Sequence, residues 1–250
     1  MKKLTILKRI KSPIFMVVLL AFTLFSVKEV QAMHITEGFL PKGWALFWTV
    51  VTIPFFMLGM KRLNYIFKNQ PNKKLLIALA GAFVFLLSAL KIPSIGGTCS
   101  HPTGVGLGAI LFGPAIMSVL GVIVLLFQAL LLAHGGISTL GANAFSMAVV
   151  GPFVSFGVFT ILRKKKVNIG VSVFFAAALG DLCTYIVTSI QLGLAYPDPV
   201  GGIATSLVKF LSIFAITQIP IAIIEGIVTA LVYDKIMEYE GKGVLGENID

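Results

Sequence analysis

Residues 107–133 read LGAILFGPAIMSVLGVIVLLFQALLLA, an apolar run without a charged residue. As one helix it would cross a membrane once and leave Arg163-Lys164-Lys165-Lys166, after the next apolar segment, on the outer side. That contradicts the bias of Lys and Arg toward cytoplasmic loops. Gly113-Pro114 resolves the conflict, because proline removes a backbone donor and clashes with the preceding turn. The run then divides into a short inward segment, 105–114, and a full outward one, 115–133. His134 falls outside and the basic cluster returns to the cytoplasm. A span that short needs protein or a water-filled cavity around its broken backbone.

The flanking segments agree with this division. Trp44 to Met60 is an apolar run whose tryptophans suit a membrane interface. Lys61, Arg62, Lys68, Lys73 and Lys74 follow it and mark a cytoplasmic loop. Leu75 to Leu90 returns outward and delivers a Gly-rich loop containing His101. Downstream, 143–162 runs inward and 169–194 outward; Tyr196-Pro197-Asp198-Pro199 is an external loop and 203–233 comes back in. The expected fold is all-α: a polytopic membrane protein of about seven transmembrane helices over 33–240, with a cytoplasmic tail at 241–250.

Composition demands the same solvent. The 250 residues are 57% hydrophobic and 12% charged, where soluble domains are about 45–50% apolar and about 25% charged. Half of the net charge of +10 lies in the first 32 residues, which hold Lys2, Lys3, Lys8, Arg9, Lys11 and Lys28 against Glu29. The rest sits mostly in the two clusters that orient the spans, and no basic face interleaved with aromatics points to nucleic acid. Cys99 and Cys183 are too far apart in sequence and depth for a disulfide framework. Gly104-Val105-Gly106-Leu107-Gly108 lacks the lysine and the preceding strand of a phosphate loop. These small residues suit close helix packing, as do Ala176-Ala177-Ala178 and Gly180. Without a Walker, H-E-x-x-H or G-x-S-x-G motif, ATP hydrolysis and the common hydrolase chemistries have no support.

The N-terminus reads as a removable leader. A basic region, MKKLTILKRIK, precedes an apolar stretch from Pro13 to Val27, and Val30-Gln31-Ala32 supplies the small residues of a signal-peptidase site. Cleavage after Ala32 would place Met33 at the mature, extracytoplasmic N-terminus; the alternative is an uncleaved first helix.

That terminus matters because all three histidines, His34, His101 and His134, fall on the external side. A free Met33 amine, the His34 amide nitrogen and the His34 Nδ1 can close a five- and a six-membered chelate ring on one metal ion. One further imidazole completes a planar nitrogen set, which favours Cu(II), Ni(II) and low-spin Co(II) over Zn or Mg. His101, in a loop too glycine-rich to be a span, is the best fourth ligand; an isolated histidine there would more often cap the next helix or hydrogen-bond a carbonyl. Cys99 is a soft alternative or a small apolar filler. His134 opens the loop HGGISTLGAN, whose polar groups, Asn143 included, are candidates to orient the ligands. Asp181 and Glu225 lie within spans, where ionisable groups are costly and usually paired; helix–helix hydrogen bonding is the expected role.

The strings Met33-His34-Ile35-Thr36-Glu37-Gly38-Phe39-Leu40-Pro41, His101-Pro102-Thr103-Gly104-Val105-Gly106-Leu107-Gly108, Phe112-Gly113-Pro114, His134-Gly135-Gly136 and Leu140-Gly141-Ala142-Asn143 resemble the CbiM family. These are the substrate-capture components of energy-coupling-factor (ECF) cobalt transporters, and the likeness covers nearly all of 33–240. It implies a seven-helix subunit of a bacterial plasma membrane, with the amine of Met33, His34 and His101 holding the metal. It also implies a transmembrane coupling subunit, a cytoplasmic ATPase and a small auxiliary membrane subunit as partners, a tilt of the capture subunit on release, and a link to cobalamin synthesis. No resident cofactor is expected, only Co²⁺ as substrate. The similar NikM family takes nickel with nearly the same ligands, so Ni²⁺ is the rival cargo. A membrane metalloenzyme would need an open coordination position and a base. Glu37 is the only nearby external acid, and four nitrogens leave no equatorial place for activated water. A purely structural or sensory subunit would be indifferent to loss of His34.

Overall fold

A computed structural model of the chain describes residues 31–32, 34–90, 92–93 and 98–241. Most of the expected leader, Met33 with its amine, the side chain of Cys99 and the tail after Gly241 lie outside the described residues.

The described residues form seven helical elements: α1 (Lys42–Asn69), α2 (Lys73–Ala89), α3 (Val105–Phe112), α4 (Pro114–Leu132), α5 (Leu140–Lys164), α6 (Ile169–Ala195) and α7 (Gly202–Gly241). Five of them, α1, α4, α5, α6 and α7, are long and apolar enough to cross a membrane. The chain is a polytopic all-α membrane protein. Among the described residues the strands form one small sheet of order β1-β3-β2, from β1 (Gln31–Ala32), β2 (Ile92–Pro93) and β3 (Thr98–Ser100), and Asp198 and Gly202 make an isolated antiparallel bridge. β1 runs parallel to β3 and pairs Ala32 with Cys99.

The break between α3 and α4 falls where the sequence puts it. Gly113 has φ +87°, a conformation that side chains with a Cβ rarely adopt, and Pro114 opens α4 at the position where its missing N–H costs nothing. Most of α3 is enclosed by protein: six of its eight residues, Val105, Gly106, Leu107, Gly108, Ala109 and Phe112, are buried. That meets the requirement for broken backbone at membrane depth. Small residues allow the close packing expected of them. A Cβ on Gly106 would come within 2.9 Å of the Ala177 backbone, and one on Gly121 within 2.4 Å of the Ala148 methyl.

α5 is not uniform. Its first turn, Leu140–Asn143, continues as a π-helix over Ala144–Val150 before regular α-helix resumes at Gly151. Such π-segments gather at functional sites, and this one carries Met147 inward, buried in the cluster with Val84, Val105, Met117 and Val124. The outer faces of α1, α4 and α7 present Leu46, Val50, Leu130, Leu131, Ile216 and Leu231, as lipid-facing surfaces should.

Candidate metal site

The segment after residue 33 has no helical pattern, and its backbone groups are satisfied by the loop before α5. Asn143 holds Ile35 with both ends of its amide: Oδ1 accepts from Ile35 N at 2.8 Å, and Nδ2 donates to Ile35 O at 3.0 Å. The Thr139 hydroxyl donates to the same carbonyl at 2.6 Å. Gly38 N donates to Ser138 Oγ at 3.0 Å, and Ser138 N donates to Glu37 Oε2 at 3.1 Å. Hydrogen bonding from the Ser138 side chain and then its backbone holds the Glu37 carboxyl below its ordinary value. Glu37 is therefore a loop fastener. Gly136 makes this close approach feasible, since a Cβ there would lie 2.5 Å from Glu37 Cα.

This zipper delivers His34 to the other two histidines. His34 Nδ1 is 2.8 Å from His101 Nε2 and 3.1 Å from His134 Nε2. One nitrogen from each of the three buried residues lies within 4.8 Å of the others. The His34 and His101 rings stack at 4.6 Å, 8° from parallel, while His134 stands edge-on to both.

The outer nitrogens bear on what the inner ones carry. His101 Nδ1 lies 2.9 Å from Pro102 O; a carbonyl only accepts, so the proton belongs on Nδ1 and the lone pair on Nε2. His34 Nε2 lies 3.3 Å from Met147 Sδ, a weak acceptor, so His34 can carry its proton on either nitrogen. With the proton on Nδ1, His34 donates to His101 Nε2; with the proton on Nε2, both inner nitrogens can turn a lone pair to one cation. Nitrogens bound at about 2.0–2.1 Å to one ion and set at right angles sit about 3 Å apart, the separation these pairs have.

His101 is steadied from behind. The Tyr185 hydroxyl donates to His101 O at 2.7 Å, and Gln218 Nε2 approaches the same oxygen at 3.4 Å. Of the residues singled out from sequence, His34, His101, His134 and Asn143 come together. His134, assigned an orienting role from sequence, stands as near to His34 as a ligand would. Thr139 was included among the polar groups of the His134 loop; Met147, Tyr185 and Gln218 were missed. Gln218 carried a signal, as a strong polar group inside a span; Met147, apolar within an apolar helix, carried none.

Comparison with known proteins gives the same direction. Residues 34–242 match the family described as "Cobalt uptake substrate-specific transmembrane region", CbiM. The chain is 63% identical over 218 residues to the cobalt transport protein CbiM of Clostridioides difficile, covering 87% of each chain. It is also 63% identical over 211 residues to that of Chlorobium limicola, covering 84% of this chain and 83% of the relative. A crystal structure of a truncated transition metal transporter superposes with a TM-score of 0.72 at 27% identity, covering 82% of this chain and 99% of that one. With these relatives named as cobalt transport proteins, this chain is a transport component and not an enzyme, and it belongs to the CbiM family.

Proposed function

We propose that this chain is the substrate-capture component of an ECF cobalt importer, taking Co²⁺ at the extracytoplasmic face for cobalamin synthesis. The observation that carries this reading is the convergence of His34, His101 and His134, with one nitrogen of each within 4.8 Å. Met33 contributes its α-amine once the leader is removed after Ala32. The pairing of Ala32 with Cys99 supports this, because it leads the chain past the His101 loop just before residue 33. His34 Nδ1 and His101 Nε2 are the imidazole ligands, Asn143 fixes the chelating segment, and His134 stands against it as a further donor. The mature N-terminus is extracytoplasmic and the C-terminus cytoplasmic.

The chain's own residues bind and orient the ion; energy comes from ATP hydrolysed by a cytoplasmic partner. A coupling subunit and a small auxiliary membrane subunit complete the assembly, which drives release by tilting the capture subunit in the membrane. Nickel is the rival cargo, since nitrogen ligands bind Ni²⁺ more tightly than Co²⁺ in general.

Accumulation of radioactive cobalt in cells that depend on this transporter tests the reading. Wild type should accumulate cobalt and His34→Ala should not, with equal amounts of protein in the membrane. Uptake unchanged by His34→Ala would overturn it, and uptake of nickel in preference to cobalt at equal supply would change the cargo.

A further inference from the structure

Two buried acids, Asp181 on α6 and Glu225 on α7, are absent from the histidine cluster, yet both belong to the network that holds the His101 turn. Glu225 is 1% exposed. Its Oε2 accepts from Thr103 N, and its Oε1 accepts from the Thr103 hydroxyl at 3.0 Å and from Gly104 N at 2.8 Å. These donors open α3 and would otherwise be orphans at membrane depth. Two turns earlier on α7, Gln218 Nε2 donates to Asp181 Oδ2 while reaching toward His101 O.

A neutral Ser or Asn suffices to cap an ordinary helix, whereas an ionisable group within a span is costly and marks a specific task. Glu225 supplies two acceptor oxygens to donors on consecutive residues, which fixes the orientation of the peptide as well as satisfying it. The histidines are thus held by different parts of the bundle. Asn143 and Thr139 tie the His34 segment to the start of α5. Tyr185, Gln218 and Glu225 tie the His101 turn to α6 and α7.

We propose that Glu225 is a positioning residue for metal capture, locking the His101-Pro102-Thr103-Gly104 turn to α7 so that the position of α7 sets how closely His101 approaches His34. The proposal rests on His101 being a ligand.

The test uses the purified full chain as wild type, Glu225→Gln, Thr103→Val and His101→Ala. For each, Co²⁺ affinity, dissociation rate into a chelator, the visible ligand-field band of bound Co(II) and the metal-free melting temperature are measured. Glu225→Gln should bind Co²⁺ about 10- to 100-fold more weakly, the range for lost outer partners of a metal ligand. The loss should come mainly from faster dissociation, with the band shifted toward that of His101→Ala, while the melting temperature falls only modestly because one acceptor oxygen remains. Thr103→Val should change affinity and band in the same direction by less, and it carries the test if Glu225→Gln fails to insert. Wild-type affinity and dissociation in both Glu225→Gln and Thr103→Val, or weakening that tracks lost stability with an unshifted band, overturns the proposal. If His101→Ala retains wild-type affinity, the ligand assignment fails along with it; if only His101→Ala is impaired, the positioning role alone falls.

Discussion

Nδ1 of His34 lies 2.8 Å from Nε2 of His101, and the two imidazoles stack 8° from parallel although 67 positions separate them in sequence. Their outer nitrogens face Met147 Sδ and Pro102 O, so the inner pair can share one proton or, with the His34 proton on Nε2, turn two lone pairs to one ion. The rings already stand where an ion would need them, and the site is pre-organised.

Removal of either imidazole should therefore cost more than removal of a supporting residue. His101→Ala is expected to weaken Co²⁺ binding by more than the roughly 100-fold upper range for supporting partners, with normal membrane insertion. Equilibrium dialysis of the purified variant measures this. An affinity near wild type would reassign the ligand to His134 or Cys99.

Asn143→Ala removes two hydrogen bonds that hold Ile35. Each such bond contributes about 1 kcal/mol net, and the chelating residue next in the chain loses its orientation. Metal affinity should fall about 10- to 100-fold while His34 and His101 remain. Isothermal titration with Co²⁺ gives the number, and a change under twofold would remove Asn143 from the account.

Gly141→Val probes the packing that places Asn143. A Cβ on Gly141 would fall 2.4 Å from Thr49 Cα and 2.7 Å from Thr49 N, so the start of α5 must retreat from α1. Overpacking of this kind costs about 1–3 kcal/mol, and the retreat carries Asn143 away from Ile35. Melting temperature in detergent and Co²⁺ affinity should both fall; lowered stability with unaltered affinity would show that the α5 start is not what positions the segment.

Acid should loosen the fastening of that segment. Glu37 is held below its ordinary value by Ser138, so its contribution is present above the unfolded carboxyl range and is lost as pH falls through the folded value. Protease cleavage within 34–41 should rise below about pH 4.5, near the unfolded Glu value, in metal-free wild type. Glu37→Gln should show the faster cleavage already at pH 7. A pH-independent wild type would contradict this role.

The sequence carried the division at Gly113-Pro114, because glycine and proline act locally and charge parity constrained the count. Most helical elements lie close to the segments expected from it. However, α1 continues to Asn69 and takes in Lys61, Arg62 and Lys68, read as loop residues, and α7 continues to Gly241, because charged residues do not stop a helix where it leaves the apolar layer. The sequence also carried the grouping of the three histidines at one end of the bundle, since span parity puts them on one side, and they do cluster. It did not carry their distances. Nothing in His134-Gly135-Gly136 says that residues 34–38 will lie on it, and that contact depends on non-local pairing of Ile35 with Asn143 and Thr139. The π-turn that presents Met147 was equally hidden, because an extra residue in a helical turn leaves no mark on an apolar run. For Glu225, burial in a span signalled a task, and only the fold shows that the task is at Thr103 and Gly104.

The most direct test of the account combines metal content with N-terminal sequence on one sample, purified from cells given equal cobalt and nickel. The account predicts a chain beginning at Met33 with near-stoichiometric cobalt. A chain that begins at Met33 and holds no metal, or one that retains the leader and still holds it, would contradict a site built from the free amine, His34 and His101.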